Sequence, residues 1–446
     1  VIEGLFAGWE LPLLHTTAGH AYLFSKDIFE LLVLVGLGFA IWRRGIQKKE
    51  RVVQSSSASL VIGLIAILMI TDLAAEGARI AAGDLDGSFL PISALVGGWF
   101  SGLGGSALQA IYSVNWWIHL VTLFVFANEL PYSKHFHVYT SIFNVFFTNL
   151  DAPGKLPGMD LEDIDEDTTF GISTVTDFTW KQMLDLYTCT ECGRCREFCP
   201  TTITHKPLQP VLYLKDVRDQ LYKEQPEILA DPGEDGHASQ HQMVPVVVDP
   251  EVIWACTTCR WCERACPLDI TYVDKLIEMR RNLVLEKAEF PDELQSAFRG
   301  YEVNGNPWQL PGEERGNWAS GLGVPLASEA GGDFEYLFFV GSPGSYDDHG
   351  KQVSRALVKI LKAAGIKIAI LGPEEVSTGD AARRLGNEYL FQMLAQQNIE
   401  TMNGYGVKKI VTNCPPAFNT LSHEYPDFGG DYELVHGPQL VAGLAS

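Results

Sequence analysis

The sequence predicts a multidomain chain: a transmembrane α-helical domain, an α-helical domain organised by cysteines, and a small α/β C-terminal domain. Three observations predict it. Charge is spread unevenly, with 8 basic and 10 acidic side chains in residues 1–150 against 25 and 45 in the other 296. Eight of the nine cysteines fall into two copies of one spacing. After residue 333, short apolar strands alternate with helical periodicity, the pattern of a parallel sheet with helices on its faces. The net charge of −22 repels phosphate backbones, so no nucleic-acid partner is expected.

Residues 1–150 read as a membrane domain of about three helices. Gly87 to Asn128 holds no Asp, Glu, Lys or Arg in 42 residues, whereas a soluble fold places a charge every few positions. Phe24–Trp42 and Leu60–Ile80 are each near the ~20 residues that cross ~30 Å of hydrocarbon. The lipid bilayer is thus an expected partner. Arg43, Arg44, Lys48, Lys49 and Arg51 hold the first loop on the cytoplasmic side, and Asp84 and Asp86 mark the opposite one. Three crossings return the chain to the cytoplasm at Tyr132–His137, which predicts a multi-pass protein of the cytoplasmic membrane. No basic segment with a cleavage site precedes an apolar core, so no signal peptide is expected.

Two histidines stand out in this part. His119 and His137 are 18 residues apart, five turns of one helix, which puts them on one face about 27 Å apart. His135 falls about 160° away. Two histidines stacked in this way are placed to ligate two b haems, with partner ligands from a neighbouring helix. The alternative is that His119 hydrogen-bonds inside the bundle while His135 and His137 meet lipid headgroups. Asp72, Glu76 and Arg79 mark either a quinone site or a Glu76–Arg79 pair at the membrane interface.

Residues 151–176, rich in Asp, Glu, Pro and Gly, read as a linker. Residues 177–303 contain the cysteines, and 304–332 read as a second linker. Residues 333–446 supply strands at Tyr336–Val340, Lys367–Leu371 and Lys408–Thr412, with helices near Gln352–Ala364 and Asp380–Met402.

The cysteine runs are Cys189-x2-Cys192-x2-Cys195-x3-Cys199-Pro200 and Cys256-x2-Cys259-x2-Cys262-x3-Cys266-Pro267. This is the bacterial ferredoxin spacing. Three thiolates wrap one face of a cubane, and the fourth, before Pro, reaches the other cluster. One [4Fe–4S] cluster is therefore assigned to Cys189, Cys192, Cys195 and Cys266, and the other to Cys256, Cys259, Cys262 and Cys199. Disulfides do not suit a segment facing a reducing cytoplasm, and zinc has no need of the third cysteine in each loop. The runs lie 67 residues apart with a helical stretch, Lys206–Leu229, between them, which resembles the helical ferredoxin domain of membrane oxidoreductases. Arg194, Arg196, Arg260 and Arg264 flank the thiolates, either raising a cluster potential or lying on a solvated surface.

With these residues in view, the chain resembles the membrane-bound iron–sulfur oxidoreductases related to heterodisulfide reductase, including the bacterial electron-transfer-flavoprotein:menaquinone oxidoreductases. The resemblance runs through Thr71-Asp72-Leu73, Glu76-Gly77-Ala78-Arg79, Pro131-Tyr132-Ser133-Lys134, the first cysteine run, Gly344-Ser345-Tyr346-Asp347, Gly386-Asn387-Glu388 and Cys414-Pro415. It implies a cytochrome-b-like membrane domain, a two-cluster ferredoxin and a cysteine-rich domain. The family's cysteine positions match Ser342, Ser377, Cys414 and Ala417, so this copy of the cysteine-rich domain is degenerate. The implied function is electron transfer from a reduced electron-transfer flavoprotein, through the two clusters and haem b, to a membrane quinone. Two other readings are a quinol-oxidising subunit that reduces a thiol–disulfide substrate, and an anchoring iron–sulfur subunit without turnover of its own. Other subunits are expected partners in each.

Overall fold

A computed structural model describes residues 16–48, 53, 55–161, 169–230 and 241–444. Lys49 and Arg51 of the basic loop, and the middle of the first expected linker, lie outside the described residues. The chain forms two compact units, residues 1–146 with 187–197, and residues 147–186 with 198–446. The expected boundary therefore shifts, because the first three cysteines of the first run belong with the apolar helices.

In the first unit, α1 (Thr17–Gly45) begins at Thr16, whose side chain accepts a hydrogen bond from the Gly19 N–H. α2 (Ser56–Ala82) begins in the same way at Ser55 and ends at Gly83, which takes the left-handed conformation that closes helices. The expected third span is two helices, α3 (Pro91–Phe100) and α4 (Gly105–Glu129). The Gly102–Gly104 stretch between them explains the break, since glycine has low helix propensity. α2 and the stretch Gly105–Tyr132 are long and apolar enough to cross a membrane. α3 lies close against α2 because glycines meet there. A Cβ on Gly77 would stand 2.9 Å from Val96 Cγ1, and one on Gly97 2.9 Å from the Gly77 carbonyl.

The helix expected to carry both His119 and His137 is broken. Leu130–Tyr132 and Lys134–Phe136 are short 3-10 turns separated by extended Ser133, and α5 (His137–Phe146) starts afresh. Pro131 lacks the N–H an α-helix needs, so the five-turn register from His119 does not exist.

In the second unit, α6 (Pro210–Ala230) and α7 (Val273–Arg281) carry the ferredoxin part. The α/β part holds four parallel strands: β1 (Tyr336–Phe338), β2 (Ile368–Ala369), β3 (Lys409–Thr412) and β4 (Glu433–His436), in the order β2-β1-β3-β4. All three residues of β1 are buried, as a central strand covered on both faces requires. α8 (Asp348–Ala363) is the expected first helix. The expected helix from Asp380 to Met402 divides into α9 (Asp380–Arg384) and α10 (Glu388–Gly404). Gly386 sits at the break with φ +90°, and a Cβ there would lie 2.5 Å from the Arg280 carbonyl carbon, so only glycine fits.

Residues 304–332 are not a free linker. Arg315 is 2 % and Trp318 4 % exposed; Trp318 packs edge-on to Phe338 and Arg315 pairs with Glu375 at 2.8 Å. A buried network joins the ferredoxin and α/β parts. Arg281 reaches Glu388 at 2.7 Å, and Arg383 reaches Glu388 at 3.1 Å and Glu424 at 3.0 Å, with every one of these side chains inaccessible to solvent.

Candidate iron–sulfur centre

Both cysteine loops have the same backbone. Counting from the first cysteine, the residues two and four positions on are left-handed: Glu191 (φ +54°) and Gly193 (φ +73°) in one loop, Thr258 (φ +54°) and Arg260 (φ +56°) in the other. Such turns aim amide hydrogens inward, and Thr258 N lies 3.4 Å from Cys256 Sγ. Glycine adopts this conformation without strain, whereas arginine does not. Arg260 is held there by Glu263 (3.0 Å), Asp274 (2.5 Å) and the Lys155 carbonyl (2.9 Å). Its guanidinium is therefore engaged in ion pairs, and the choice between potential-raising charge and solvated surface gives way to a structural role. Glu263 also accepts the N–H groups of Tyr272 and Val273 at 2.8 Å each, which ties the loop to the start of α7.

Cys199, Cys256, Cys259 and Cys262 line one cavity, with Tyr213 and Leu276 among its walls. Cys199 comes from the first run and Cys266 of the second is not in the lining. Sequence reasoning missed the residue that supports this cavity from behind, Arg280. It donates to the Ile253 and Cys256 carbonyls at 2.7 Å each and to the Arg384 carbonyl at 2.7 Å. Nothing in the sequence singles it out, since Asp274, Lys275, Glu278 and Arg281 share its helix. Burial pushes the Cys256 thiol up from its ordinary range, opposed by Arg280 and the Thr258 amide. The donor set suits an iron–sulfur cluster: four soft sulfurs, amide hydrogens toward sulfur and a dry wall. In the first unit, Cys189 and Cys195 are buried and Cys192 is exposed. Among the described residues no cysteine forms a disulfide.

A second cavity, of about 280 Å³, is lined by Ser342, Ser377, Cys414 and Ala417, the four positions that the resemblance singled out, together with Asp380 and Tyr301. Arg315 donates to Ser342 Oγ at 3.3 Å. Burial raises the Cys414 thiol, and Asp380 and Glu375 add to the effect, so it stays protonated at neutral pH. An open cleft beside exposed Cys259 is lined by Arg260, Arg264, Arg384 and Trp261.

Two family profiles match the chain, the 4Fe-4S dicluster domain over residues 181–267 and the cysteine-rich domain over residues 336–422. The probable iron-sulfur-binding oxidoreductase FadF of Bacillus subtilis is 37 % identical over 100 % of this chain and 67 % of its own length. The chain belongs to the iron–sulfur oxidoreductases related to heterodisulfide reductase. The EtfAB:quinone oxidoreductase of Syntrophomonas wolfei is 35 % identical over 94 % of this chain and 63 % of its own. One subunit of the dihydromethanophenazine:CoB–CoM heterodisulfide reductase of Methanosarcina mazei is 25 % identical over 59 % of this chain and 64 % of its own. The chain thus spans about two thirds of the length of these relatives. No solved structure matches it. Within this family the cysteine-rich domain here keeps a single cysteine, Cys414.

In the first unit, His119 Nδ1 lies 3.2 Å from the Leu68 carbonyl and 3.2 Å from Thr71 Oγ1. A carbonyl only accepts, so Nδ1 carries the hydrogen. This is the hydrogen bond inside the bundle that the sequence allowed, and it leaves Nε2 without a hydrogen-bond partner among the described residues. His135 and His137 lie side by side, ring centroids 5.6 Å apart. The expected Glu76–Arg79 pair is absent among the described residues. Arg79 stacks over Tyr112, and Glu76 pairs with Lys26 at 2.6 Å.

Proposed function

We propose that this protein passes electrons from a soluble donor to a membrane quinone, with two [4Fe–4S] clusters as carriers. One is held by Cys256, Cys259, Cys262 and Cys199, and the other, by the same spacing rule, by Cys189, Cys192, Cys195 and Cys266. When bound, such clusters supply one-electron transfer. The observation that carries the reading is that the first three cysteines of the first run belong to the same compact unit as the apolar helices. Tyr187, two residues before Cys189, packs edge-on to Phe136, ring centroids 5.8 Å apart.

The donor is an electron-transfer flavoprotein, on the strength of the EtfAB:quinone oxidoreductase relative, and the open cleft at exposed Cys259 gives a soluble donor access to a cluster ligand. The helices α2 and α4 cross the cytoplasmic membrane, with the clusters on the cytoplasmic side. His119 is the haem b ligand that the geometry favours. Its Nδ1 hydrogen is fixed by the Leu68 carbonyl, so its Nε2 would be the nitrogen to hold the group, the usual tautomer of a ligating histidine. His137 is the second candidate, though no longer by helical register. Reduction of a thiol–disulfide substrate is not favoured, because the cavity around Cys414 keeps one of four sulfurs.

The test is a purified membrane preparation given reduced electron-transfer flavoprotein. Bleaching of cluster absorbance followed by reduction of added quinone is the expected result. Clusters that stay oxidised with this donor, or quinone that stays oxidised beside reduced clusters, would sink the reading.

A further inference from the structure

The three helices α1, α2 and α3 bring five ionisable side chains into one cluster. α1 contributes Lys26, Asp27 and Glu30, α2 contributes Asp72 and Glu76, and Ser93 of α3 joins them. Lys26 Nζ lies 2.6 Å from Asp72 Oδ2, 2.6 Å from Glu76 Oε1 and 3.3 Å from Glu30 Oε1. Four carboxyls against one ammonium leave a formal −3 when all are ionised, which apolar helices do not tolerate.

Counting hydrogens locates where a proton is held. Ser93 Oγ lies 2.7 Å from Asp27 Oδ1 and 3.0 Å from Glu76 Oε2. A hydroxyl has one hydrogen, so one of these two contacts needs a hydrogen from a carboxyl. Asp27 is already supplied with donors, because the backbone N–H groups of Ile92 (2.6 Å) and Ser93 (3.0 Å) at the start of α3 point at its two oxygens. Ser93 therefore donates to Asp27 and accepts from a protonated Glu76. Glu30 Oε2 is buried without a hydrogen-bond partner, while Glu30 Oε1 faces Lys26 Nζ at 3.3 Å. The other ionisable groups nearby are His119 of α4, whose Nδ1 is held by Leu68 and Thr71, Arg79, turned to the Tyr112 ring, and His20, stacked on Phe89.

We propose that Glu76, Ser93 and Asp27 form a proton-holding site within the apolar helices, from which a quinone takes one of the two protons of its reduction. The proposal rests on the quinone reading above. A quinone that gains two electrons from the soluble donor gains two protons. The O–H bond of Glu76 breaks as an O–H bond forms on a quinone oxygen, and the carboxylate left behind faces the Lys26 ammonium. Water returns the proton to Glu76 and supplies the other one.

The test uses the protein purified with its associated subunits, decylubiquinone as the probe, and two variants. Glu76→Gln keeps an N–H to give Ser93 but has no proton to release, and Ser93→Ala removes the bridge. Dithionite reduction of the clusters should match the wild type in both, showing that the fold is intact. Decylubiquinone reduction should fall on the order of 10²-fold. Infrared difference spectra of the wild type should show a protonated-carboxyl band that shifts in D2O and is lost in Glu76→Gln. A wild type without that band, or variants that reduce decylubiquinone as fast as the wild type, would overturn the proposal. A wild type with reducible clusters that reduces no quinone would instead remove the quinone reading, and proton supply with it, while the infrared band still reports whether Glu76 holds a proton.

Discussion

Two cavities of the second unit, one around Cys256 and one around Cys414, share a mode of construction and differ in the sulfur they hold. Each gathers residues from several loops at the ends of regular elements. The first has four sulfurs, Cys199, Cys256, Cys259 and Cys262; the second has one, Cys414, beside Ser342, Ser377 and Ala417. The supporting architecture does not distinguish them. Arg280 braces the first through three backbone carbonyls, and Arg315, paired with Glu375, braces the second. Around the second cavity the buried Arg315–Glu375 ion pair holds the walls together beside a single sulfur.

The largest expected effect breaks or secures the first cavity. Cys199→Ala should abolish the paramagnetic signal of the cluster held by Cys256, Cys259 and Cys262, read by electron paramagnetic resonance of the reduced protein. Retention of that signal would refute the crossed assignment. Next comes the bracing. Arg383→Met leaves Glu388 and Glu424 buried with less compensation, and breaking such a network costs about 3–5 kcal/mol. Denaturant unfolding should show that loss; a change within about 0.5 kcal/mol would mean the pairs are dispensable.

A pH series sharpens the same point. Asp185 is buried, which alone would raise its pKa, but Lys275 and Lys181 outweigh burial and hold it below the usual carboxylate range. A depressed carboxyl contributes stability that is complete above its unfolded value near 3.8 and is lost as pH falls through the lower folded value. The wild type should lose stability across that acid window more steeply than Asp185→Asn, which starts lower because Lys275 is left unpaired. Parallel curves would argue against the pair. The smallest effect belongs to the second cavity: Cys414→Ser should leave the iron content unchanged and shift stability by less than about 1 kcal/mol. Iron lost from this variant would restore the second cavity as a cluster site.

Much of this is legible as local pattern. The cysteine spacing announces its loops because a cubane demands three sulfurs in a tight turn, and the apolar runs announce α2 and α4. The helix between the cysteine runs is expected over Lys206–Leu229 and forms over Pro210–Ala230. Strands β1, β2 and β3 are visible as apolar runs. β4 is not, since Glu433-Leu434-Val435-His436 is short and polar at both ends and takes its place by pairing with β3.

The sequence by itself determined the family, the two cysteine loops, the alternation of strand and helix, and the presence of apolar helices, because each depends on neighbours within a few turns of chain. Only the tertiary structure decided what depends on distant partners. Glycine at 386 breaks a helix because Arg280 lies against it, and residues 304–332 pack because Glu375 receives Arg315. Cys199 lines a cavity with cysteines more than fifty residues further along the chain. Lys26 on one helix meets Asp72 and Glu76 on the next, since charges in an apolar setting must find each other, and which charges do so is fixed by how the helices pack.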